Sequence, residues 1–285
     1  MKKLHGTGVA LATPMEADGT IDWKGLKKLV GHASRAEYLV VMGTTGESAT
    51  LSPAEKQEIL DRVLSLNKGS KPIVYGIGGN NTGAVVSELN AFRTRGVSAI
   101  LSVVPYYNKP SQEGMLRHFY AVADHAPLPV ILYNVPGRTG ANLSAETVIR
   151  LAEHPNIIGI KEASGSLEQC VRIMSRVRKG FLMISGDDML TVPIMSIGGV
   201  GVISVLANAY PSRFSKMTAA MHAGRTVQAS TIQCGFSDIN PLMYEEGNPV
   251  GLKALLAEMG ICKPWVRLPL VAASPQLCDR IRKII

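Results

Sequence analysis

The amino-acid sequence predicts an α/β protein, a (β/α)8 barrel (TIM barrel) that carries a C-terminal helical appendage. Eight short runs rich in Val and Ile recur along the chain, and each is followed by an amphipathic stretch of helix length. The runs are continuously apolar rather than alternating, which indicates strands covered on both faces. Eight such units close naturally into a barrel. An open, doubly wound sheet is the alternative architecture.

The ends of the predicted elements carry recognisable signals. Ser52 stands before Pro53 and three residues before Glu55, which is the pattern of a capping box at a helix start. Ser111 and Ser144 are predicted to cap the helices that follow them. The predicted strands cover residues 6–14, 38–47, 72–80, 99–107, 129–136, 157–164, 181–188 and 199–208.

The chain is long enough for one large core. It has 285 residues, of which 46% are hydrophobic, and barrels of this length often form a single domain. Helical patterns continue from about residue 211 onward, including residues 248–260, beyond what eight units require. We therefore expect residues 1–210 to form the barrel core, and residues 211–285 to form barrel-closing and C-terminal helices in the same globular unit.

The net charge of +8 does not by itself indicate a nucleic-acid partner, because Lys and Arg are dispersed over the chain. One modest basic cluster is predicted to lie on a single helix and to face solvent. It consists of Arg172, Arg176, Arg178 and Lys179. The sequence shows neither a run of roughly 20 apolar residues nor a signal peptide, so we expect no membrane partner and a cytoplasmic protein.

The four cysteines and six histidines do not indicate a metal site or a disulfide framework. Cys170, Cys234, Cys262 and Cys278 stand singly, and no His lies at zinc-ligand spacing. We expect reduced, buried thiols, no metal and no cofactor.

In barrels of this kind, chemistry takes place at the carboxyl ends of the strands. Polar residues interrupt the apolar runs at those ends, which makes them the candidates for a site. They are Thr44, Thr45, Glu47, Tyr106, Tyr107, Tyr133, Asn134, Lys161, Glu162, Asp187, Asp188 and Asn208.

Lys161 is the unexpected member, because it follows the apolar residues "NIIGI" of a predicted buried strand. Burial removes the hydration of an ammonium group and so favours the neutral amine, which is a nucleophile. Such an amine can condense with a ketone to give an imine, and the imine then assists loss of a proton from the adjacent carbon. The alternative is a structural ion pair with Glu162 or Asp187, and the local sequence leaves both open.

Tyr133 lies at the end of the strand before Lys161, where its hydroxyl could reach a ligand bound to the amine. A tyrosine can pass protons to and from such a ligand, and Thr44 and Tyr107 could carry them onward. Taken singly, a tyrosine at a strand end is more often an amphipathic plug with its ring in the core.

Two further stretches could bind carboxylates. "GTTGE", residues 43–47, offers two adjacent hydroxyls and flexible backbone amides, although it could be a simple turn. Arg138 follows Pro136 and Gly137, where its planar guanidinium could bind a carboxylate with two hydrogen bonds. A surface arginine would look the same in sequence.

The motifs "GTTGE", "YYNKP", "YNVPGRTG", "GIKEASG", "SGDD" and "GVISV", in this order, resemble the dihydrodipicolinate synthase family of pyruvate-dependent Schiff-base aldolases. The resemblance covers essentially the whole chain and implies a barrel fold. It also implies that Lys161 forms the imine with pyruvate, and that Tyr133 is the proton donor and acceptor. Thr44 and Tyr107 would complete a hydroxyl relay.

The same resemblance implies an assembly and a second substrate. Tyr107 would serve the site of a neighbouring subunit in a tight dimer, and a homotetramer built as a dimer of dimers would result. Thr45 and the backbone of Ile203 would hold pyruvate, and Arg138 would receive the carboxylate of L-aspartate 4-semialdehyde. The reaction implied is the first committed step towards diaminopimelate and lysine.

Other activities are alternatives. N-acetylneuraminate lyase and 2-keto-3-deoxygluconate aldolase resemble this chain, but Arg138 in "GRTG" and the sequence "GTTGE" favour the synthase. A non-catalytic binding or regulatory barrel would require a damaged site, and the motifs show no damage.

Inhibition by lysine is a separate expectation. Feedback-inhibited members of the family bind lysine with positions of which four match here, namely Ser48, Ala49, Asn80 and Tyr106. Two histidines and a glutamate of that site are replaced by Pro53, Lys56 and Ala84. Loss of a carboxylate and gain of a like charge predict weak or absent inhibition.

Overall fold

A computed structural model describes residues 4–285, and its eight parallel strands form one closed barrel in chain order. The predicted barrel is therefore confirmed. The strands are β1 (Gly6–Ala10), β2 (Tyr38–Val41), β3 (Ile73–Gly76), β4 (Ala99–Val103), β5 (Val130–Asn134), β6 (Ile157–Glu162), β7 (Leu182–Ser185) and β8 (Gly201–Ser204).

Helices separate the successive strands and continue after β8. Those between the strands are α1 (Trp23–Ala33), α2 (Pro53–Asn67), α3 (Thr82–Ala91), α4 (Gln112–His125), α5 (Pro136–Thr139), α6 (Ala145–Leu151), α7 (Leu167–Met174) and α8 (Thr191–Ser196). Those after β8 are α9 (Pro211–His222), α10 (Thr226–Cys234), α11 (Ile239–Leu242), α12 (Val250–Glu258) and α13 (Pro275–Arg282).

The predicted helix starts are confirmed by hydrogen bonds at the caps. Glu55 N donates to the Ser52 side chain at 3.3 Å, and Ser52 N donates to the Glu55 carboxylate at 2.8 Å, which completes the capping box. Ser111 caps α4 and Ser144 caps α6 in the same way, each through its side-chain oxygen. Local sequence therefore determines where these helices begin.

The strands are shorter than the apolar runs that predicted them. β2 ends at Val41, although its run extends to Glu47, because Met42 and Glu47 adopt left-handed backbone conformations with φ of 60° and 53°. The polar tail of the run therefore forms a loop at the carboxyl end of the strand. This placement brings Thr44 and Thr45 out of the strand and onto a short 3-10 turn, Thr44–Gly46.

The chain divides into two compact units, residues 73–203 and the residues up to 72 together with 204–285. In the first unit, Phe119, Leu132, Ile160 and Met183 are fully buried in one apolar cluster. In the second, α12 buries seven of its nine residues, which confirms the helix predicted within 248–260.

Two surface expectations need correction. The basic cluster does not lie on one helix, because α7 ends at Met174, before Arg176. All four basic residues are nevertheless exposed, as predicted. The prediction of buried thiols is wrong for Cys234, which is exposed at the end of α10, and Cys278 is only half-buried. Within residues 4–285, no helix is both long enough and apolar enough to cross a membrane.

Candidate active site

The centre of the candidate site is a lysine and a tyrosine on neighbouring strands. β5 and β6 pair in a register that sets Tyr133 opposite Lys161, each one residue before its strand ends. Both side chains are buried, and the Lys161 Nζ lies 4.2 Å from the centre of the Tyr133 ring. The two groups that the sequence assigned to covalent and proton-transfer chemistry are thus in direct contact.

Lys161 has no carboxylate partner among residues 4–285. The Glu162 carboxylate accepts hydrogen bonds from Asn134, Ser164 and Gln169, and the Asp187 carboxylate accepts from the backbone N–H of Met189. The structural ion pair that the sequence left open is therefore wrong. A buried lysine nitrogen that no carboxylate engages is a candidate nucleophile.

Tyr133 has its ring in the core, as expected of a plug, but its hydroxyl donates to no acceptor within the described part of the chain. A buried phenol normally has a hydrogen-bond partner when its role is only structural. A hydroxyl without an acceptor, on the side chain whose ring lies 4.2 Å from the Lys161 amine, is therefore a candidate for proton transfer with a ligand on that amine.

Arg138 lies on α5, the single helical turn that follows β5 directly. Pro136 begins this turn and Gly140 ends it with φ of 69°, so the chain returns sharply after the strand. The guanidinium is exposed and forms no ion pair within residues 4–285. All five of its N–H donors are available to an incoming anion.

Tyr107 lies on the loop after β4 and is 89% exposed. Its backbone has φ of 73°, a conformation that costs a non-glycine residue on the order of 1–3 kcal/mol. Asn108 holds this loop by donating from its side chain to the backbone oxygen of Asn80 at 2.9 Å. The neighbouring Tyr106 is also partly exposed. The strained backbone thus presents a large aromatic side chain to solvent.

The "GTTGE" loop is held by residues far away in sequence. The Asn248 side chain donates to the Thr45 hydroxyl oxygen at 3.1 Å, and Thr45 is buried. An amide NH2 group can only donate, so the hydroxyl proton of Thr45 remains free to bind an acceptor such as a carboxylate. Thr44, the preceding residue, is only partly buried.

Glu47, which ends this motif, forms a buried ion pair with Lys253 of α12, with Nζ to Oε1 at 2.5 Å. The Lys253 ammonium also donates to the backbone oxygen of Trp265 at 2.7 Å, and Arg267 N donates to the second Glu47 oxygen at 2.9 Å. Sequence reasoning missed Lys253 and Asn248. The available signal was a lysine inside the apolar pattern "VGLKALLAE".

The remaining predicted residues lie on a strand and on two helices. Ile203 is fully buried in β8. Of the effector positions, Pro53 is the first residue of α2, and Lys56 is in its second turn. Ala84 is exposed near the start of α3. Within residues 4–285, no three His, Cys, Asp or Glu side chains are grouped to hold a metal ion.

A buried lysine without a carboxylate partner lies here at the carboxyl end of a barrel strand, in contact with a tyrosine. Such a lysine is typical of enzymes that form imines with carbonyl substrates. This chain falls into that class, the lyases of the class I aldolase type. The profile of the Dihydrodipicolinate synthetase family matches residues 3–285, and the chain belongs to that family.

Relatives match the chain over nearly its full length. A 4-hydroxy-tetrahydrodipicolinate synthase of Cytophaga hutchinsonii is 52% identical, and the match covers 99% of this chain and 96% of the relative. The pyruvate complex of the chloride-inhibited dihydrodipicolinate synthase of Acinetobacter baumannii superposes with a TM-score of 0.95 at 38% identity, covering 99% and 97%. The lysine-bound enzyme of Cyanidioschyzon merolae superposes with a TM-score of 0.94 at 37% identity, covering 99% and 97%.

Proposed function

We propose that this protein is a 4-hydroxy-tetrahydrodipicolinate synthase, which condenses pyruvate with L-aspartate 4-semialdehyde through an imine on Lys161. The observation that carries the proposal is the buried Lys161 amine, without a carboxylate partner and 4.2 Å from the ring centre of Tyr133. The names of the relatives and the family support the same activity. The product enters diaminopimelate and lysine biosynthesis.

The first half of the reaction activates pyruvate. The Lys161 amine attacks the keto carbon, and the addition product loses water to give a protonated imine. The cationic nitrogen withdraws electrons, so a proton leaves the methyl group and an enamine forms. In this proposal Tyr133 gives and takes protons at these steps, which is supported by the contact between its ring and the Lys161 amine.

The second half forms the carbon–carbon bond and frees the enzyme. The nucleophilic enamine carbon attacks the aldehyde carbon of the semialdehyde, and the aldehyde oxygen takes a proton to become a hydroxyl. The amino group of the bound product then attacks the imine carbon, displaces the Lys161 amine and closes the six-membered ring. One water molecule is released over the cycle, at imine formation.

Other residues hold or relay in this proposal. Thr45 and the backbone of Ile203 bind pyruvate, and the free proton of the Thr45 hydroxyl supports the donor role for Thr45. Thr44 and Tyr107 carry protons between Tyr133 and solvent, as the resemblance implies. The reaction requires no cofactor, because the imine itself provides the electron sink.

Two measurements test this function. Borohydride reduction in the presence of pyruvate should add a stable pyruvyl-derived mass to the peptide that contains Lys161. A side-by-side assay should then show turnover of pyruvate with aspartate semialdehyde, and not of N-acetylneuraminate or 2-keto-3-deoxygluconate. Turnover of a sugar acid alone would replace the synthase with one of those aldolases. No adduct would favour a non-catalytic barrel.

Replacing Arg138 by alanine should raise the KM for aspartate semialdehyde by about 10- to 100-fold, because a charge-assisted carboxylate contact contributes about 1.5–3 kcal/mol. The KM for pyruvate should change less than about twofold, because the lost contact involves only the semialdehyde in this proposal. Arg138→Lys is the matched control. Its KM for aspartate semialdehyde should lie between those of the natural chain and of Arg138→Ala, because lysine keeps the charge but lacks the planar guanidinium. Equal rises in both KM values would contradict the assignment.

The 89% exposure of Tyr107 supports its use by a second subunit and hence an oligomer, which we propose to be a homotetramer of two tight dimers. Lys161→Ala and Tyr107→Phe chains should each be nearly inactive alone. Mixed and reassembled, they should recover activity, because one site of each hybrid dimer would receive an intact Lys161 and an intact Tyr107. Recovery that fails although hybrids form, as shown by native mass spectrometry, would place Tyr107 in its own subunit's site.

Lysine should not inhibit this enzyme appreciably. The position of the effector-binding glutamate is Ala84, so no carboxylate would meet the ammonium group of lysine, and Lys56 adds a like charge. A coupled assay should show unchanged activity as L-lysine is titrated into the millimolar range. An Ala84→Glu variant provides the comparison, since it restores the carboxylate. A low-micromolar inhibition constant for the natural chain would contradict this expectation.

A cytoplasmic location is part of the proposal. It is supported by four free cysteines, one of them exposed, which is typical of proteins in a reducing compartment.

A further inference from the structure

On the opposite face of the strands that carry Tyr133 and Lys161 lie two buried polar residues, Asn134 and Glu162. The register of β5 and β6 pairs Asn134 with Glu162, next to the pair formed by Tyr133 and Lys161. Successive side chains of a strand point to opposite faces, so one pair faces away from the other. Asn134 is fully buried, and Glu162 is 1% exposed.

The Glu162 carboxylate accepts four hydrogen bonds from three residues. Asn134 Nδ2 lies 3.1 Å from one carboxylate oxygen and 3.0 Å from the other. The backbone N–H of Ser164 donates to Oε1 at 2.7 Å, and Gln169 Nε2 of α7 donates to Oε2 at 3.0 Å. All of these partners are donors, which is the pattern that an ionised carboxylate requires.

No cation compensates this charge among residues 4–285, since Glu162 forms no ion pair there. Burying a carboxylate is costly unless hydrogen bonds replace its hydration. Packing alone would be served by apolar side chains of similar volume at this position. The buried carboxylate therefore calls for a role beyond filling space.

The network also ties the strand ends to the elements that follow them. Asn134 Oδ1 accepts from Leu143 N at 3.0 Å, and Asn134 Nδ2 donates to Asn142 Oδ1 at 2.8 Å. Asn142 in turn donates to Gln169 Oε1 at 2.9 Å. The carboxyl ends of β5 and β6, the segment before α6 and the first turn of α7 are thereby joined through side chains. Neither strand end can shift without breaking these bonds.

We infer that Asn134 and Glu162 are positioning residues for the imine chemistry, because their contact fixes the strand ends that hold Tyr133 against Lys161. Adjacent residues of a strand share a rigid backbone, so an anchor on one face sets the geometry on the other. The inference rests on the proposed function, in which Lys161 forms the imine and Tyr133 transfers protons.

The first test is Glu162→Gln, which keeps the shape but places an NH2 group against donors. We expect kcat to fall about 10- to 100-fold, as for a small displacement of reacting groups, while both KM values stay within about twofold. The value of kcat is calculated per chain that traps pyruvate after prolonged borohydride reduction. A loss of folded enzyme therefore does not lower the calculated kcat. A fall in kcat of less than about fivefold on this basis would overturn the inference.

A reciprocal exchange adds a test that general loss of stability does not pass. Asn134→Asp alone sets two carboxylates against each other and should also lower kcat. In the double variant Glu162→Gln with Asn134→Asp, the new amide can donate to the new carboxylate, so kcat should recover above both single variants. If the double variant instead shows the combined fall in kcat of the two single variants, the inference is overturned.

Two further variants complete the design. Glu168→Gln, on the exposed face of α7, removes a carboxylate outside the network and should leave kcat unchanged. If Glu162→Gln does not fold, Gln169→Ala is the substitute, because it removes one donor to Glu162 together with the acceptor for Asn142. It should also lower kcat with unchanged KM values, and an unchanged kcat there would overturn the inference. Trapping of pyruvate by the natural chain separates the two hypotheses, because its absence contradicts the proposed function, whereas trapping with insensitive variants contradicts only the positioning role.

Discussion

Replacing Lys161 by alanine should abolish the borohydride-trapped pyruvate adduct and lower kcat by roughly 10⁴-fold or more, since Lys161 is the nucleophile of the proposed covalent step. The fold should survive, because Lys161 has no ion pair to lose within residues 4–285 and alanine removes a buried amine that costs hydration. Intact mass spectrometry after reduction and a coupled synthase assay are the two measurements.

Lys179→Ala is the matched control for that experiment. Lys179 is an exposed lysine in the turn before β7, and its removal should change neither the adduct nor the rate. An adduct of the same size on the Lys161→Ala chain would mean that another amine forms the imine. In that case the contact between Lys161 and Tyr133 would need a different explanation.

The second large effect is expected at Lys253. Replacing it by methionine leaves the Glu47 carboxylate buried, with only the backbone N–H of Arg267 as a partner. Breaking a buried ion pair in this way costs about 3–5 kcal/mol. The free energy of unfolding, measured from urea transitions at one fixed protein concentration, should fall by that amount.

Two comparisons sharpen this prediction. Lys263→Met breaks an exposed ion pair with Glu16 and should cost no more than about 1 kcal/mol. A double variant, Lys253→Met with Glu47→Gln, removes the stranded charge and should be more stable than Lys253→Met alone. Equal losses in the free energy of unfolding for Lys253→Met and Lys263→Met would contradict the prediction that burial makes the Lys253–Glu47 pair the more important of the two.

Glu47 ends the loop that carries Thr44 and Thr45. Because Thr45 binds pyruvate in the proposed function, the Lys253 variant also tests that part of the proposal. We expect its KM for pyruvate to rise, because the left-handed backbone of Glu47 is held by this carboxylate. The KM rise should be reduced in the double variant if the neutral glutamine keeps its bond to Arg267 N.

The barrel itself could be predicted because its signals are local. Each strand lies within a run rich in apolar residues. Ser52, Ser111 and Ser144 cap their helices with partners three residues away. The strand ends were less predictable. Val41 ends β2 well before the apolar run ends, because left-handed backbone at Met42 turns the chain. The glycine that follows, Gly43, is extended, so the left-handed conformation falls on a residue type that does not signal it.

For the site, the residue order shows which side-chain types stand at the strand ends, and the order of the motifs indicates the family. It did not determine whether Lys161 is an ion pair or a free amine. That question depends on the folded chain, because the Glu162 carboxylate finds its partners, Asn134 and Gln169, on the face of the strands opposite Lys161.

The same reason explains the residues that sequence reasoning missed. Lys253 and Glu47 are 206 positions apart, and Asn248 reaches Thr45 across 203 positions. Periodicity and caps depend on neighbours within a few residues, whereas a hydrogen bond between distant segments exists only after the chain has folded. Sequence determined the barrel and the chemistry available at its strand ends, and folding determined which of those groups are paired and which are left free to react.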